Sequence, residues 1–354
     1  MNTLGIRLQQ ARKAAGLSLR AFGDIVGLSH AAIKKYEDGQ VYPSSEILIK
    51  LAKALNVRVD FFFRPVKVSL GKIKFRKRKE LSAKAEDAIT FDVQGQIERR
   101  FELENLYPTS PVPVFTLPLD FPKKIISHEE IETASVQLRH FLQLGLAPIH
   151  DLIDALEDHG VRVFIIDTDE KHFDGLSTSI HDQPIIVVSA GWPGDRQRFS
   201  LAHELAHYVL ANRLSQHVDE EEACNRFAGA FLIPKDALIK AIGKSRLAID
   251  WQELLLLKEQ FQISIGSICH RLIDLKIISG AYYKRLMTQF RQRGWHKKEP
   301  GPQIPSEKAH AFNQLLFQAL AEEYIGEQKA AELLSCTLTQ LKAKRQLEYA
   351  NTHL

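Results

Sequence analysis

The residues best suited to chemistry lie in one stretch of the chain, residues 199–210 (FSLAHELAHYVL). The stretch contains HELAH, an H-E-x-x-H pattern. Side chains four positions apart share one face of a helix, so His203 and His207 can direct both imidazoles toward one zinc ion. Glu204 stands next to the first imidazole and can act as general base on a water held by the metal. The pattern also arises by chance, and alone it is explained equally well by a surface helix with two unrelated histidines.

An acidic segment downstream offers a third metal ligand. A catalytic zinc takes three protein ligands and keeps a fourth position open, and a Glu from a second helix completes the His2Glu class. Four acids in a row, residues 219–222, begin a stretch with helical spacing. Among Glu220, Glu221 and Glu222 we favour Glu221, because Asn225 lies four residues on and could hydrogen-bond a ligating imidazole. At least two of the acids are explained as a solvated helix N-terminus.

His217 lies between these two segments. Its imidazole could donate a hydrogen bond to the tetrahedral intermediate of peptide hydrolysis, which makes it a second catalytic candidate. A loop histidine beside Asp219 also needs no function.

Further motifs flank the central helix: R-x-RFS-x-A before HELAH, E-x-x-x-N-x-FA from Glu221, LIP at 232–234, and DGLS and PIIVVS upstream. Together they resemble the ImmA/IrrE family of zinc metallopeptidases over roughly residues 125–290. The resemblance implies a gluzincin-like α+β fold with a small sheet beside the active-site helix. It also implies that His203, His207 and Glu221 bind Zn²⁺, that Glu204 is the base, and that the substrate is a repressor protein cut at one site.

The N-terminal segment predicts four short amphipathic helices with serine N-caps at Ser18, Ser29 and Ser44. A turn around Gly27 joins the second helix to the third, which is the helix-turn-helix arrangement. The run GLSLRAFGDIVGLSHAAIKKYEDG resembles the phage-repressor-like XRE family across residues 4–63. In that family the third helix enters the major groove of double-stranded operator DNA. The DNA-facing residues that this implies are Ser29, His30, Ala31, Lys34 and Lys35.

Charge supports a nucleic-acid partner for this segment. Residues 1–65 contain ten Lys and Arg and five Asp and Glu, so their net positive charge is larger than the +4 of the whole chain. Such a balance fits a phosphate-binding face. Modules of this kind commonly bind palindromes as dimers, so a homodimer is expected. The alternative is a four-helix module used only for protein contacts.

The connector, residues 66–124, contains the basic run GKIKFRKRKE at 71–80. The run either extends a DNA footprint or forms a solvated strand or helix start. An amphipathic helix is predicted over residues 80–104, and five prolines in residues 107–122 predict an extended, non-helical tether.

The C-terminal segment, residues 291–354, predicts helices over 310–321 and 327–334 and a further helix capped by Thr337. EQKAAELLSCTLTQLKAK has the spacing of another helix-turn-helix. We interpret the segment as a helical module that docks on the peptidase or another subunit, with a second DNA contact less favoured. No internal repeat is evident in the sequence.

Composition limits the number of domains and the cellular location that the chain can have. A chain of 354 residues with 45% hydrophobic content predicts two or three domains with ordinary cores. Its three cysteines form no C-x-x-C pair, no signal-like N-terminus is evident, and the apolar runs are too short for a membrane span. We therefore expect a cytoplasmic protein of α+β multidomain class. Its predicted segments are a helix-turn-helix domain at 1–65, the connector at 66–124, the metallopeptidase at 125–290 and the helical module at 291–354.

The function predicted from these motifs is a DNA-binding transcriptional regulator with a zinc-dependent endopeptidase domain, which cleaves a partner repressor or itself and so derepresses transcription. The alternatives are a non-proteolytic transcription factor whose zinc site is structural or sensory, and an antitoxin-like regulator. An intact Glu204 favours turnover, because a structural zinc site has no use for a base.

Overall fold

The structure, a computed structural model, describes residues 3–65, 74–75, 81–168, 170 and 173–346. Its contacts divide the chain into two compact units. The first contains Met1–Lys72, Lys77–Pro108 and Leu316–Leu354, and the second contains Ile73–Arg76 and Thr109–Leu315. The four segments predicted from the sequence are finer than this division, and their bounds remain a prediction.

The first unit opens with a small helical domain. Ser18, Ser29 and Ser44 each accept a hydrogen bond from a backbone N–H of the following first turn, as their N-cap positions predict. Leu8, Phe22, Ile33, Leu51 and Phe62 are fully buried at its centre. The elements are α1 (Thr3–Ala14), α2 (Leu19–Val26), α3 (His30–Glu37), α4 (Ser45–Ala54) and a short 3-10 helix (Val59–Phe63).

Close packing of α1 fixes this domain. A Cβ on Gly5 would lie 2.2 Å from the carbonyl oxygen of Glu37, so only glycine allows α1 to approach the end of α3. Arg12 and Glu37 form a buried bidentate ion pair across the same contact. On its other side α1 meets α5 (Ala83–Glu104), where Arg7 pairs with Glu98 at 2.7 Å. The helix predicted over residues 80–104 is therefore confirmed.

The second unit is α+β and contains a four-stranded sheet in the order β1-β3-β4-β2. β2 runs parallel to β4, and the other two pairs are antiparallel. β4 is buried along six of its seven residues, which explains its uninterrupted apolar sequence. The strands are β1 (Lys74–Phe75), β2 (Arg162–Ile166), β3 (Gly175–Ile180) and β4 (Gln183–Ser189).

Eight helices of the described residues surround this sheet. The sequence did not predict α10 or α13, because α10 is short and α13 is rich in basic and polar residues, so neither presents a wide apolar stripe. The helices are α6 (His128–Phe141), α7 (Leu152–Glu157), α8 (Gly194–Leu210), α9 (Glu220–Leu232), α10 (Lys235–Ile242), α11 (Trp251–Phe261), α12 (Ile265–Asp274) and α13 (Gly280–Gln292).

Residues 299–307, predicted to belong to the C-terminal module, pack on the helices of the second unit. The Glu299 carboxylate accepts hydrogen bonds from the Ile265 and Gly266 N–H groups and pairs with the buried Lys258 at 2.9 Å. Glu307 forms a buried ion pair with Arg198 on α8. A Cβ on Gly194 would lie 1.9 Å from the Pro305 carbonyl oxygen, so the strap formed by residues 299–307 lies directly on the start of α8.

The connector differs from its prediction in one respect. Residues 107–122 contain no helix or strand, as expected, but Val112, Phe115 and Phe121 are buried, so the segment is packed rather than free. The Phe115 N–H donates to Gln183 Oε1 at 2.7 Å. Most of the basic run at 71–80 lies outside the described residues; its two described residues form β1.

The last three helices of the described residues are α14 (Ala311–Ala321), α15 (Glu327–Leu333) and α16 (Leu338–Arg345). Thr337 caps α16 as predicted, in a capping box with Gln340. Throughout the described part of the chain, no helix combines the length and the apolar character that crossing a membrane requires. The predicted α+β multidomain class, with an all-helical N-terminal domain and a small sheet in the second unit, is confirmed.

Candidate metal centre and nucleic-acid interface

The candidate metal centre lies where α8 packs against α9. Leu201, Ala202, Leu205 and Ala206 are fully buried on α8, so this helix is enclosed on almost all sides. Small residues on α9, among them Ala223 and Ala228, allow the two helices to approach closely. The polar side chains of HELAH are thereby held in a fixed, largely water-free setting.

Three potential ligands converge there. His203 Nε2 and His207 Nε2 lie 3.1 Å apart, and the Glu221 carboxylate reaches both, at 3.5 Å from the first and 3.4 Å from the second. One donor atom from each residue fits within 4.8 Å of the others. His203 is fully buried, His207 is partly exposed, and the Glu221 side chain is 55% exposed, so the cluster opens toward solvent on the α9 side.

The outer nitrogens of both imidazoles have acceptors. His203 Nδ1 lies 3.0 Å from Asn225 Oδ1, and His207 Nδ1 lies 3.0 Å from Glu220 Oε1. These acceptors assign the ring protons to Nδ1 and leave the Nε2 lone pairs facing each other at 3.1 Å. Two lone pairs at that distance repel unless a proton or a cation lies between them. The donor set therefore fits a divalent metal ion such as zinc.

The sequence predicted the position of only one of these two acceptors. Asn225 was expected beside an imidazole from its spacing to Glu221. Glu220 was considered only as a third ligand, and the structure instead joins it to the outer nitrogen of His207. How far α9 is shifted along α8 decides which acid reaches a histidine Nε2 and which reaches Nδ1. The spacing of residues within α9 does not determine this shift.

Glu204 is buried beside this cluster, and β3 positions it. Ser177 Oγ donates to Glu204 Oε2 at 2.8 Å. A Cβ on Gly175 would lie 3.4 Å from Glu204 Cγ and 2.8 Å from the Val187 carbonyl oxygen, so a glycine at this place allows the strand to approach the carboxylate. Ser177 lies in the DGLS motif, but sequence reasoning assigned it no separate role, because Thr178 and Ser179 in the same strand are hydroxyl residues as well.

Tyr208 follows the second imidazole and ties α8 to the sheet. Its hydroxyl donates to the Asp182 carbonyl oxygen at 2.7 Å, in the turn between β3 and β4. Burial raises the pKa of the Tyr208 hydroxyl, with a smaller contribution from the Asp182 charge, so the phenol remains a hydrogen-bond donor well above neutral pH. This bond holds the end of α8 in place beside the His207 ring.

His217 is exposed and lines an open cavity of about 300 Å³ with His128, Asp219 and Glu222. His128 Nε2 lies 3.3 Å from Glu222 Oε1 across it. A catalytic role for His217 remains a prediction.

The five residues expected to face DNA lie on one exposed surface. Ser29, His30, Ala31, Lys34 and Lys35 are all exposed, at the start and along the outer face of α3. Ser29 also caps α3, because its hydroxyl accepts from the Ala32 N–H at 3.1 Å. Lys34 pairs with Asp38 at 2.5 Å in an exposed i,i+4 ion pair, which costs little to exchange for a phosphate.

Two family models match the chain. Residues 8–62 match a helix-turn-helix family, and residues 156–273 match the IrrE N-terminal-like domain, a peptidase family. The chain joins a helix-turn-helix domain to an IrrE-like domain. Both resemblances noted in the sequence are thus confirmed, and the helix-turn-helix match supports DNA binding and transcription regulation as the role of the N-terminal domain.

A curated relative supports the N-terminal assignment. Over 54 residues the chain is 39% identical to the transcriptional repressor RstR of the cryptic phage CTXphi of Vibrio cholerae, which covers 15% of this chain. The match spans 48%, about half, of that repressor's length. Among solved structures, ComR from Streptococcus suis aligns over 99% of this chain and 97% of its own at 14% identity. The TM-score is 0.17, which is too low to indicate a shared fold.

Proposed function

We propose that this chain is a transcriptional regulator whose IrrE-like domain is a zinc-dependent endopeptidase acting on a repressor protein, either a partner or the chain itself. The observation that carries the proposal is the pair of imidazole Nε2 atoms 3.1 Å apart, spanned by the Glu221 carboxylate, with the Glu204 carboxylate buried beside them. Binding of operator DNA by the helix-turn-helix domain places the peptidase near repressors that occupy the same DNA.

His203, His207 and Glu221 are the residues that would hold zinc. When bound there, zinc supplies a Lewis acid with an open coordination position. The partly exposed side of the cluster, at Glu221, is where an extended peptide can approach. Asn225 and Glu220 hold the two rings in the orientation that directs Nε2 inward.

Glu204 is the proposed general base and acid. Its carboxylate takes a proton from the attacking water and returns it to the amine of the leaving peptide. The hydrogen bond from Ser177 Oγ to Oε2 fixes the carboxylate plane, so that proton transfer needs no side-chain rearrangement. A structural zinc site requires no such base, and this supports turnover over a purely structural role.

The direct test combines metal analysis with a search for new N-termini. The full chain is loaded with zinc, mixed with purified helix-turn-helix repressors from neighbouring genes, and the products are read by N-terminal mass spectrometry. We expect one zinc per chain and one cleavage site in one repressor or in the chain itself. Stoichiometric zinc without any cleavage of neighbouring repressors or the chain would favour the sensory or structural site, and absence of zinc binding would refute the proposed centre.

Asn225→Ala is expected to weaken zinc binding by roughly 10–100-fold, because the acceptor that orients His203 is removed while all three ligands remain. Competition with a chromophoric chelator measures the change. Asn313→Ala, an exposed asparagine on α14, is the matched control and should retain wild-type affinity. Equal affinities for both variants would show that Asn225 does not orient the ring.

Lys34→Ala is expected to weaken DNA binding and to reduce the slope of log Kobs against log salt by about 1, because one phosphate contact is lost. Fluorescence anisotropy with a random-sequence duplex measures the slope. Lys53→Ala removes an equal charge from the exposed end of α4 and should leave the slope unchanged. A wild-type slope for Lys34→Ala would remove this lysine from the DNA-facing set.

A further inference from the structure

The three helices at the C-terminal end repeat the first three helices of the chain at a nearly constant spacing. α2 begins at Leu19 and α3 at His30, and α15 begins at Glu327 and α16 at Leu338, each 308 positions later. α1 ends at Ala14 and α14 ends at Ala321, 307 positions later. α3 and α16 also have the same length, eight residues. The three-helix arrangement therefore recurs without insertion or deletion.

The turn before the last helix is the same in both copies. Gly27 has φ +72 and Ser335, its counterpart, has φ +53. The next residue donates its N–H five positions back in each case, Leu28 to Gly23 and Cys336 to Ala331. The third turn residue is a hydroxyl N-cap: Ser29 accepts from Ala32, and Thr337 accepts from Gln340. Every feature that defines the helix-turn-helix turn is duplicated.

Buried positions recur at the same spacing. Four residues of the first copy are buried at 0–2% exposure, and their four counterparts in the second copy are buried at 0%. These pairs are Leu8 with Leu316, Ala11 with Ala319, Phe22 with Ala330, and Ile33 with Leu341. Only burial and capping are shared, with few identical residues, which is why no repeat is evident in the sequence.

We propose that α16 is a second DNA-contacting helix and that its ligand is the phosphate backbone of duplex DNA. Residues 337–340, which correspond to residues 29–32, are the cap and first turn of α16 and are all exposed. Lys342 corresponds to Lys34, and Arg345, three positions further on, lies on the same exposed face of α16. Both lie near Glu327, Arg345 at 2.5 Å and Lys342 at 4.0 Å, in exposed ion pairs that cost little to exchange for a phosphate. Residues 327–345 contain four Lys and Arg and two Glu, so this segment carries a net positive charge.

The turn alone does not make a DNA site. The turn between α1 and α2, at Gly16, Leu17 and Ser18, has the same positive φ, hydrogen bond and cap, and the turn between α11 and α12 has the positive φ and the cap. Gln262 has φ +55 and Ser264 caps α12, but the Glu299 carboxylate occupies the N-terminus of that helix. The position that corresponds to Lys34 is Cys269, which is fully buried. An anion cannot reach α12, whereas the start and basic face of α16 are open.

Both copies are fixed to α5 inside the first unit. Arg7 on α1 pairs with Glu98, and Lys329 on α15 pairs with Glu102 at 2.5 Å, one turn further along α5. Arg64, just after the 3-10 helix, lies 3.3 Å from Glu332 on α15. The second copy is thus held on the same helix as the first.

The test uses the full chain with Lys342→Ala and Arg345→Ala combined. On a random-sequence duplex, the slope of log Kobs against log salt should fall by about 2, because two phosphate contacts are lost. Lys297→Ala with Lys298→Ala removes the same charge from an exposed loop of the second unit and should keep the wild-type slope. Circular dichroism verifies that both double variants remain folded.

Two results would overturn the proposal. The first is a wild-type salt slope for the α16 double variant. The second is an equal fall of the slope in both double variants, because the effect would then be one of net charge alone. A second measurement needs no variant. Acetylation of the wild-type chain with and without duplex should show DNA protecting Lys342 several-fold, while Lys297 stays reactive. Equal labelling of Lys342 in both samples would exclude α16 from the interface.

Discussion

Glu204→Gln is expected to bind zinc like the wild type and to lower the rate of peptide-bond cleavage by about 10²–10⁴-fold, the usual contribution of a general acid–base group. Gln has the same shape as Glu and its amide oxygen can still accept the hydrogen bond from Ser177, so folding should be preserved. It cannot take a proton from water at neutral pH. Metal content of the purified protein and the yield of new N-termini from a co-expressed repressor measure the two effects separately.

Glu259→Gln makes the same chemical change at an exposed position on α11 and should keep full activity. If Glu204→Gln derepresses transcription in cells as well as the wild type does, proteolysis is not the means of regulation, whatever the fold. Loss of zinc together with activity would mean that the substitution disturbs the ligands, and the base assignment would then fail.

Arg198→Ala is expected to destabilise the second unit by roughly 3–5 kcal/mol, because it leaves the carboxylate of Glu307 buried without its charge partner. Arg198 is fully buried, and its guanidinium also donates to the Ile149 carbonyl oxygen. Tryptophan fluorescence during urea unfolding reports on this unit alone, since Trp192, Trp251 and Trp295 all lie within it.

Arg291→Ala is the control, since Arg291 is exposed on α13 and its loss should change the free energy of unfolding by less than about 0.5 kcal/mol. Arg198→Met with Glu307→Leu removes both buried charges and should recover much of the lost stability. An unfolding midpoint for Arg198→Ala equal to that of the wild type would show that the strap of residues 299–307 does not stabilise the unit.

Spacing within one helix made much of the candidate centre predictable. His203, Glu204 and His207 follow from the four-residue helical repeat, and Asn225 follows from its distance to Glu221 along α9. Ser177 and the position of Glu220 did not follow, because each depends on how one element packs against another. The catalytic role of His217 and the metal itself remain predictions.

The fold, like the candidate centre, was predictable from the sequence only in part. The small sheet beside the active-site helix was expected from the family resemblance, and β3 and β4 lie on the DGLS and PIIVVS motifs that carried it. α10 and α13 were missed since their apolar faces are narrow. The sequence indicated a second helix-turn-helix in EQKAAELLSCTLTQLKAK, but not that α14–α16 match α1–α3 in spacing, because helix bounds and buried positions are retained while residue types are not.

The discontinuity of the first unit constrains the order in which the molecule matures. Residues 109–315 leave the ribosome before Leu316–Leu354, so the metal-binding unit has all its residues while the DNA-binding unit still lacks the partners of Glu102 and Arg64. Translation that stops early would release a chain with a complete second unit and an incomplete first unit. Nascent chains therefore acquire every residue of the proposed metal centre before they acquire the residues that complete the helix-turn-helix unit.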